Sequence, residues 1–398
     1  MSIKNIPYSY RWTMLAVSTM LVVLHTFVFE SIPPVMNQLA RDLGLSFTQL
    51  GSLMGAYTLP GAVLSVSAGI LTARFGSRKA GFFGLTLILL GTVLAALSSG
   101  FGQLLAGRVV GSIGAAFVFI IAPMAVTNWF AGREIGLAMG IYNMAVPLGT
   151  ILAFNGLGAV AGQYGWRVSI WLTSLAVLLV LVVNQALFRE APQGAPGEQN
   201  TQKGITFRQF LKEAQWSVWL LCLTIVLYSA SILQVFTIGP SYFSEVYGNS
   251  VNPDLLSSLP MIVSLILGPL AGRLIDVTGK KHWMIYGGSL GSALLLFLVP
   301  SGINPMSAML LLGIFIAVLL PSIFAFPADI LQPGHDGIVF GLIGACFGLG
   351  IFLGSLMVGV IRDLSGGFDA TFYSMSFICL LMGLPIYLIM RSLGDHNN

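Results

Sequence analysis

The sequence predicts an all-α integral membrane protein, with twelve transmembrane helices in two pseudo-symmetric six-helix bundles. Three observations carry that expectation. Charged residues make up 8% of the 398 residues and hydrophobic residues 56%, with mean hydropathy +0.89. Soluble domains carry about 25% charged residues, so the solvent for most of this surface is lipid. Second, Gly69-Ile-Leu-Thr-Ala-Arg-Phe-Gly76-Ser-Arg78-Lys79 returns 203 residues later as Gly272-Arg-Leu-Ile-Asp276-Val-Thr-Gly279-Lys280-Lys281. Third, Gly136, Gly140, Gly149, Gly158 and Gly165 match Gly337, Gly341, Gly350, Gly359 and Gly366 at an offset of 201. A membrane chain built twice from one unit is most simply a transporter whose halves rock about a site between them.

Crossing about 30 Å of hydrocarbon takes about 20 helical residues. Twelve apolar runs meet that length: 11–33, 47–71, 80–98, 102–127, 135–159, 166–188, 215–237, 255–275, 283–301, 305–328, 338–361 and 370–391. Short connections rich in Gly, Ser, Asn or Pro separate them, as in Ser98-Ser-Gly-Phe and Pro300-Ser-Gly-Ile-Asn-Pro305. One connection is long. Residues 191–214 hold Pro192, Pro196, several Gln and mixed charges, so they read as a cytoplasmic linker between a 1–190 bundle and a 215–398 bundle. All of the 18 Lys and Arg except Arg41, Arg108, Arg167 and Arg362 fall on the side that holds the N-terminus, which places both termini in the cytoplasm. The first run is too long for a signal h-region and meets Pro33-Pro34 rather than a cleavage site. The expected setting is the plasma (inner) membrane, multi-pass, as a monomer. The pI near 9 suggests no nucleic-acid partner, because the basic residues form no patch.

The two glycine-bounded loops resemble the signature of the major facilitator superfamily, Gly-x-Leu-x-Asp-x-x-Gly-Arg/Lys-Arg/Lys. The copy from Gly272 to Lys281 matches throughout, whereas the first has Ala73 in the aspartate position and Ser77 in the first basic one. Trp129-Phe-Ala-Gly-Arg133-Glu134, Gly165-Trp166-Arg167 and Leu104-x-x-x-Arg108 also resemble the family. The resemblance implies a secondary transporter, with Gly69, Gly76, Arg78, Gly272, Asp276, Gly279, Lys280 and Lys281 in a cytoplasmic gate. On physical grounds Gly69 and Gly272 are expected to let helix ends approach closely, and Gly76 and Gly279 to suit a tight turn. Asp276 is expected to cap a helix or pair with a cation, as a latch. Lys79 and the other loop cations also read as solvated topology determinants.

Ionisable residues in spanning helices are costly and by default functional. His25 and Glu30 lie on the first run, Arg108 on the fourth, and Asp329 follows Phe326-Pro327 at the end of the tenth. Proton-coupled members of the family place an acid shortly before proline on the first helix, as Glu30 stands before Pro33, and Arg108 matches the family's fourth-helix arginine. We therefore expect Glu30 and Arg108 to form a proton-coupling pair, with His25 as a relay or solute contact or, equally, a neutral imidazole hydrogen-bonded to backbone. An acid that exchanges a cationic partner changes its proton affinity. A headgroup-zone Glu30 with a snorkelling Arg108 is the alternative. Tyr57, Asn143, Tyr228, Ser231 and Gln234 are expected to line the solute cavity. The i, i+3 spacing of the last three makes one polar stripe, which helix–helix hydrogen bonding explains as well.

The expected function is proton-coupled transport of a small organic solute by alternating access. A proton/drug efflux antiporter is an alternative, weakened by Val146 standing in the glycine position of the fifth-span Gly-Pro motif. An uncoupled facilitator and an inorganic or organic anion carrier are others. The last would want cavity arginines in both halves, and the second-half spans have no central Arg or Lys. An enzyme is not expected, since His25, His282, His335 and His396 have no ligand spacing and suggest no metal. The glycines from Gly341 to Gly354 lack a Gly-Lys-Ser/Thr ending, so no nucleotide cofactor is expected. Cys222, Cys346 and Cys379 fall inside apolar runs and read as packing residues.

Overall fold

A computed structural model describes residues 9–130, 134–191, 215–327 and 336–395, which contain helices and turns and no strand. Asp329 and nearly all of the expected linker lie outside them. Eleven helical segments are long and apolar enough to cross a membrane, or twelve when the bent helix α3 is counted as one span. In chain order the helices are α1 (Tyr10–Phe29), α2 (Met36–Leu43), α3 (Phe47–Phe75), α4 (Ser77–Ala96), α5 (Phe101–Phe130), α6 (Ile135–Asn143), α7 (Ala145–Leu152), α8 (Gly158–Tyr164) and α9 (Trp166–Leu187). They continue with α10 (Trp216–Ser231), α11 (Gln234–Tyr247), α12 (Pro253–Thr278), α13 (Lys281–Leu298), α14 (Pro305–Ala325), α15 (Asp336–Ser365), α16 (Asp369–Leu381) and α17 (Gly383–Asp395).

The chain divides into two compact units, one of residues 1–43 and 59–202, the other of residues 44–58 and 203–398. The start of α3 therefore belongs to the second unit. Its opening follows from the sequence Ser46-Phe-Thr-Gln49, a reciprocal cap in which Gln49 N–H donates to Ser46 Oγ at 3.2 Å and Ser46 N–H to Gln49 Oε1 at 3.0 Å. The Asp363 carboxylate at the end of α15 accepts from the Phe47 and Thr48 N–H groups at 2.9 and 2.8 Å. In the first unit Glu134, with φ 56°, starts α6 and pairs with Arg11 of α1 at 2.7 Å.

Small residues set the helix spacing. Lipid supplies no hydrophobic drive between helices, so close backbone approach and dispersion hold them. A Cβ on Gly91 would strike the backbone of Gly107 and Gly111, and one on Gly114 that of Gly84, so α4 and α5 touch main chain to main chain. The glycine ladder is partly of this kind. Gly149 of α7 abuts Val23 O and Thr26 of α1, while Gly350 of α15 abuts Val226 O and Ser229 of α10. Val23 and Thr26 lie 203 positions before Val226 and Ser229, so the internal repeat reproduces one packing contact twice. Gly165 (φ 86°) and Gly366 (φ 71°) likewise both take a backbone that favours glycine.

Gly354 goes further, because an added Cβ would lie 2.6 Å from Ala230 Cα and 2.7 Å from its carbonyl oxygen. At Gly341 no atom lies within 4 Å of an added Cβ. Gly354→Ala is therefore expected to destabilise by about 1–3 kcal/mol through overpacking, and Gly341→Ala to be neutral or to stabilise by up to about 1 kcal/mol. Thermal unfolding in detergent checks the contrast; equal midpoints for the two variants would refute the packing assignment.

Candidate functional site

The first span is not one helix. It runs from Tyr10 to Leu43, longer than the expected 11–33, and breaks after Phe29. Two prolines explain the break. The carbonyl of Phe29 would normally receive the N–H of residue 33, and Pro33 has none. Arg108 of α5 donates there instead, with Nη2 on Phe29 O and Nη1 on Val28 O, both at 2.9 Å, and Val28 O also accepts from Ser31 Oγ at 2.8 Å. Glu30 is the residue that closes α1, its N–H donating to Thr26 O at 2.8 Å.

The break brings the expected coupling residues together in the first unit. Glu30 is 5% exposed and Arg108 4%, so both side chains are buried against protein. Glu30 Oε2 is buried and has no hydrogen-bond partner among the described residues. Arg108 lies near enough for its charge to act on both Glu30 and His25. His25 packs against Phe119 of α5, with ring centroids 6.1 Å apart. The site is thus a cationic fork clamping a broken helix end, with one carboxyl and one imidazole beside it.

The second unit repeats the scaffold with neutral groups. Tyr228, Ser229 and Leu233 stand 203 positions after His25, Thr26 and Glu30, and the helix again breaks, between α10 and α11. Here Gln234 Nε2 donates to Ser229 O at 2.8 Å, so an amide does for α10 what a guanidinium does for α1. Ser231 donates to Leu227 O at 2.6 Å. Tyr228, Ser231 and Gln234 are all buried, and the polar stripe is spent mainly on carbonyls of its own helix rather than on a neighbouring one. Tyr228 Oη and Gln234 Oε1 remain buried without a partner among the described residues. Tyr57, in the second unit, is buried, whereas Asn143, in the first, is exposed at the end of α6.

The loop residues divide. Gly76 (φ 86°) and Gly279 (φ 64°) do make the expected tight turns. Close approach at Gly69 and Gly272 is not seen among the described residues: an added Cβ would meet only Ile120 at 3.9 Å in the first case, and nothing within 4 Å in the second. The close contacts fall instead within the helices, where paired glycines face each other. Arg78 donates to the Gln185 carbonyl in the last turn of α9, and Lys281 to the Ala325 carbonyl ending α14 at 3.0 Å. These two cations cap helix C-termini. Asp276 and Lys280 are exposed, and Asp276 makes no hydrogen bond or ion pair among the described residues.

Sequence reasoning missed the carbonyls of Val28 and Phe29 as partners of Arg108; Pro33 was the available signal. It also missed the placing of Cys222 against Cys346, treated below.

Residues 18–302 and 254–397 match the profile of the Major Facilitator Superfamily. The lysosomal dipeptide transporter MFSD1 of Danio rerio is 25% identical over 378 residues, covering 90% of this chain and 81% of the relative. Multidrug resistance protein 2 of Bacillus subtilis is 26% identical over 353 residues, covering 83% and 84%. Among solved structures, a bacterial homolog of the human lysosomal transporter Spinster, inward-facing and occupied, superposes with TM-score 0.81 at 18% identity over 96% of this chain and 97% of that one. The peptide transporter POT in complex with sulfate gives 0.77 at 16% identity, covering 96% and 95%.

Proposed function

The chain belongs to the Major Facilitator Superfamily, and we propose that within it this protein couples protons to the movement of a small organic solute, with Glu30 as the proton-carrying acid, Arg108 as its alternating partner and His25 as a neighbouring relay. The family match and the dipeptide-transporter relatives support secondary transport by alternating access. One observation carries the proton assignment. A buried carboxyl with an unpartnered oxygen sits beside an arginine that is engaged on the carbonyls of the same broken helix. Moving α1 relative to α5 changes what Arg108 can reach, and with it the proton affinity of Glu30.

Dipeptides are the first solutes to test, because several relatives are dipeptide transporters. Zwitterions carry one group of each sign, which suits the acid and the base of the first unit. Purified protein reconstituted in vesicles holding a pH-sensitive dye, challenged with a dipeptide library, is expected to show solute-dependent proton flux. Solute flux that leaves internal pH unchanged at every substrate would overturn the coupling. Proton/drug antiport is the second reading, favoured by the bacterial multidrug relative, and the same dye reports it with the opposite sign.

The remaining expectations belong to this reading. Tyr57, Asn143, Tyr228, Ser231 and Gln234 are assigned to solute contact during the cycle, and the loops around Gly76 and Gly279, with Asp276, to the gate. We place the protein in the plasma (inner) membrane as a monomer, with termini and the 191–214 linker cytoplasmic. An impermeant maleimide is expected to leave Thr201→Cys unlabelled in intact cells and to label it after permeabilisation. Labelling in intact cells would invert every loop.

A further inference from the structure

We propose that Cys222 and Cys346 form an oxidisable thiol pair, a modification site that a small two-electron oxidant closes into a disulfide stapling α10 to α15. The register of the two helices carries this. Gly350 abuts Val226 and Gly354 abuts Ala230, each with the partner's main chain. Both pairs are separated by 124 positions, so α10 and α15 run parallel and in step. One turn back along each helix, the same offset sets Cys222 opposite Cys346. The two glycines hold the backbones closer than ordinary helix packing allows, and a disulfide needs Cα atoms roughly 4.4–6.8 Å apart. The two thiols lie close enough to act on each other.

The neighbourhood explains why the pair reacts with itself. Cys222 is buried, whereas Cys346 is partly exposed and gives a reagent its point of entry. The third thiol is spent elsewhere: Cys379 donates to Ser289 O of α13 at 3.3 Å. No such pair exists in the first unit, where the positions aligned by the two repeat offsets hold Thr19 and Ala145.

With a diazenedicarboxamide (diamide) as oxidant the step balances. The Cys346 sulfur adds to one nitrogen of the N=N bond, and the Cys222 sulfur displaces the resulting hydrazine. Two S–H bonds break, one S–S bond forms, and the diazene takes up two electrons and two protons.

The full-length protein in membranes is treated with diamide, denatured in SDS, alkylated with a mass-tagged maleimide and weighed. Alkylated thiols are expected to fall from three to one in the parent and from two to none in Cys379→Ser, with dithiothreitol restoring both. Cys222→Ser and Cys346→Ser are expected to keep two each. Three reactive thiols in the oxidised parent, a loss that requires Cys379, or a disulfide-linked dimer on a non-reducing gel would each overturn the assignment. Cys222→Ser and Cys346→Ser are conservative in size, and their own two-thiol count shows whether each chain is made.

Discussion

Glu30→Gln is expected to abolish accumulation driven by a pH gradient while leaving solute binding intact. The amide mimics the protonated acid and cannot release a proton, so the carrier cycles solute without coupling it. One pH unit is worth about 1.4 kcal/mol per proton, or roughly a tenfold accumulation ratio at one-to-one coupling. The variant's ratio is expected to collapse to about one at any imposed gradient, with counterflow of labelled solute persisting. Glu30→Asp keeps a titratable group near the same place and is expected to retain a reduced ratio. The geometry behind this is specific to the break: Glu30 closes α1, is 5% exposed, and has Oε2 buried without a partner among the described residues. Full accumulation in Glu30→Gln, measured as the steady-state ratio across an imposed gradient, would remove Glu30 from the coupling path.

Much of the architecture was legible because membrane helices advertise themselves twice, by length and by repetition. The positive-φ glycines Gly76, Gly279, Gly165 and Gly366 could be marked in advance, since a tight turn at a helix end admits few other residues. What stayed hidden depends on partners distant in sequence. The first and seventh runs were expected to stop at 33 and 237, and they continue to Leu43 and Tyr247. The continuation after Pro33-Pro34-Val35 is Met36-Asn-Gln-Leu-Ala-Arg-Asp-Leu43, too polar for a hydropathy window to count as span. Pro33 announces a broken hydrogen bond but not which side chain repairs it. That Arg108 does so, rather than only facing Glu30, follows from the α1–α5 packing.

Composition misled in a different way at the glycines. Gly69 and Gly272 sit in the repeated motif and looked like contact points, yet neither is crowded. Gly84, Gly91, Gly107, Gly111 and Gly114 carry no motif and are where α4 and α5 meet. A glycine's role is set by what faces it, and a single sequence does not pair helices. The 201-residue ladder could have paired two of them, since Gly149 and Gly350 hold the same contact in each repeat. Followed one turn back along the helices, that reasoning also brings Cys222 to Cys346, which composition alone had placed among packing residues.

Arg108→Ala is expected to be the most damaging single substitution in the first unit, and its rescue separates two explanations. The side chain bonds Val28 O and Phe29 O at 2.9 Å, and residue 33, a proline, cannot give Phe29 O its usual helical N–H. Hydrogen bonds from a charged donor are worth about 1.5–3 kcal/mol each. Loss of transport together with a drop of several degrees in Tm is the expected result. Arg108→Lys keeps the charge but loses the fork that reaches two carbonyls, so it is expected to fall between parent and alanine. If part of the cost is an uncompensated Glu30 carboxylate, adding Glu30→Gln to Arg108→Ala recovers some of the lost Tm, and the double-mutant cycle gives a coupling energy above about 0.5 kcal/mol. If Arg108 serves only to cap α1, the two substitutions add without coupling. Additivity would leave Arg108 as a structural clamp and take from Glu30 the partner that the coupling mechanism requires.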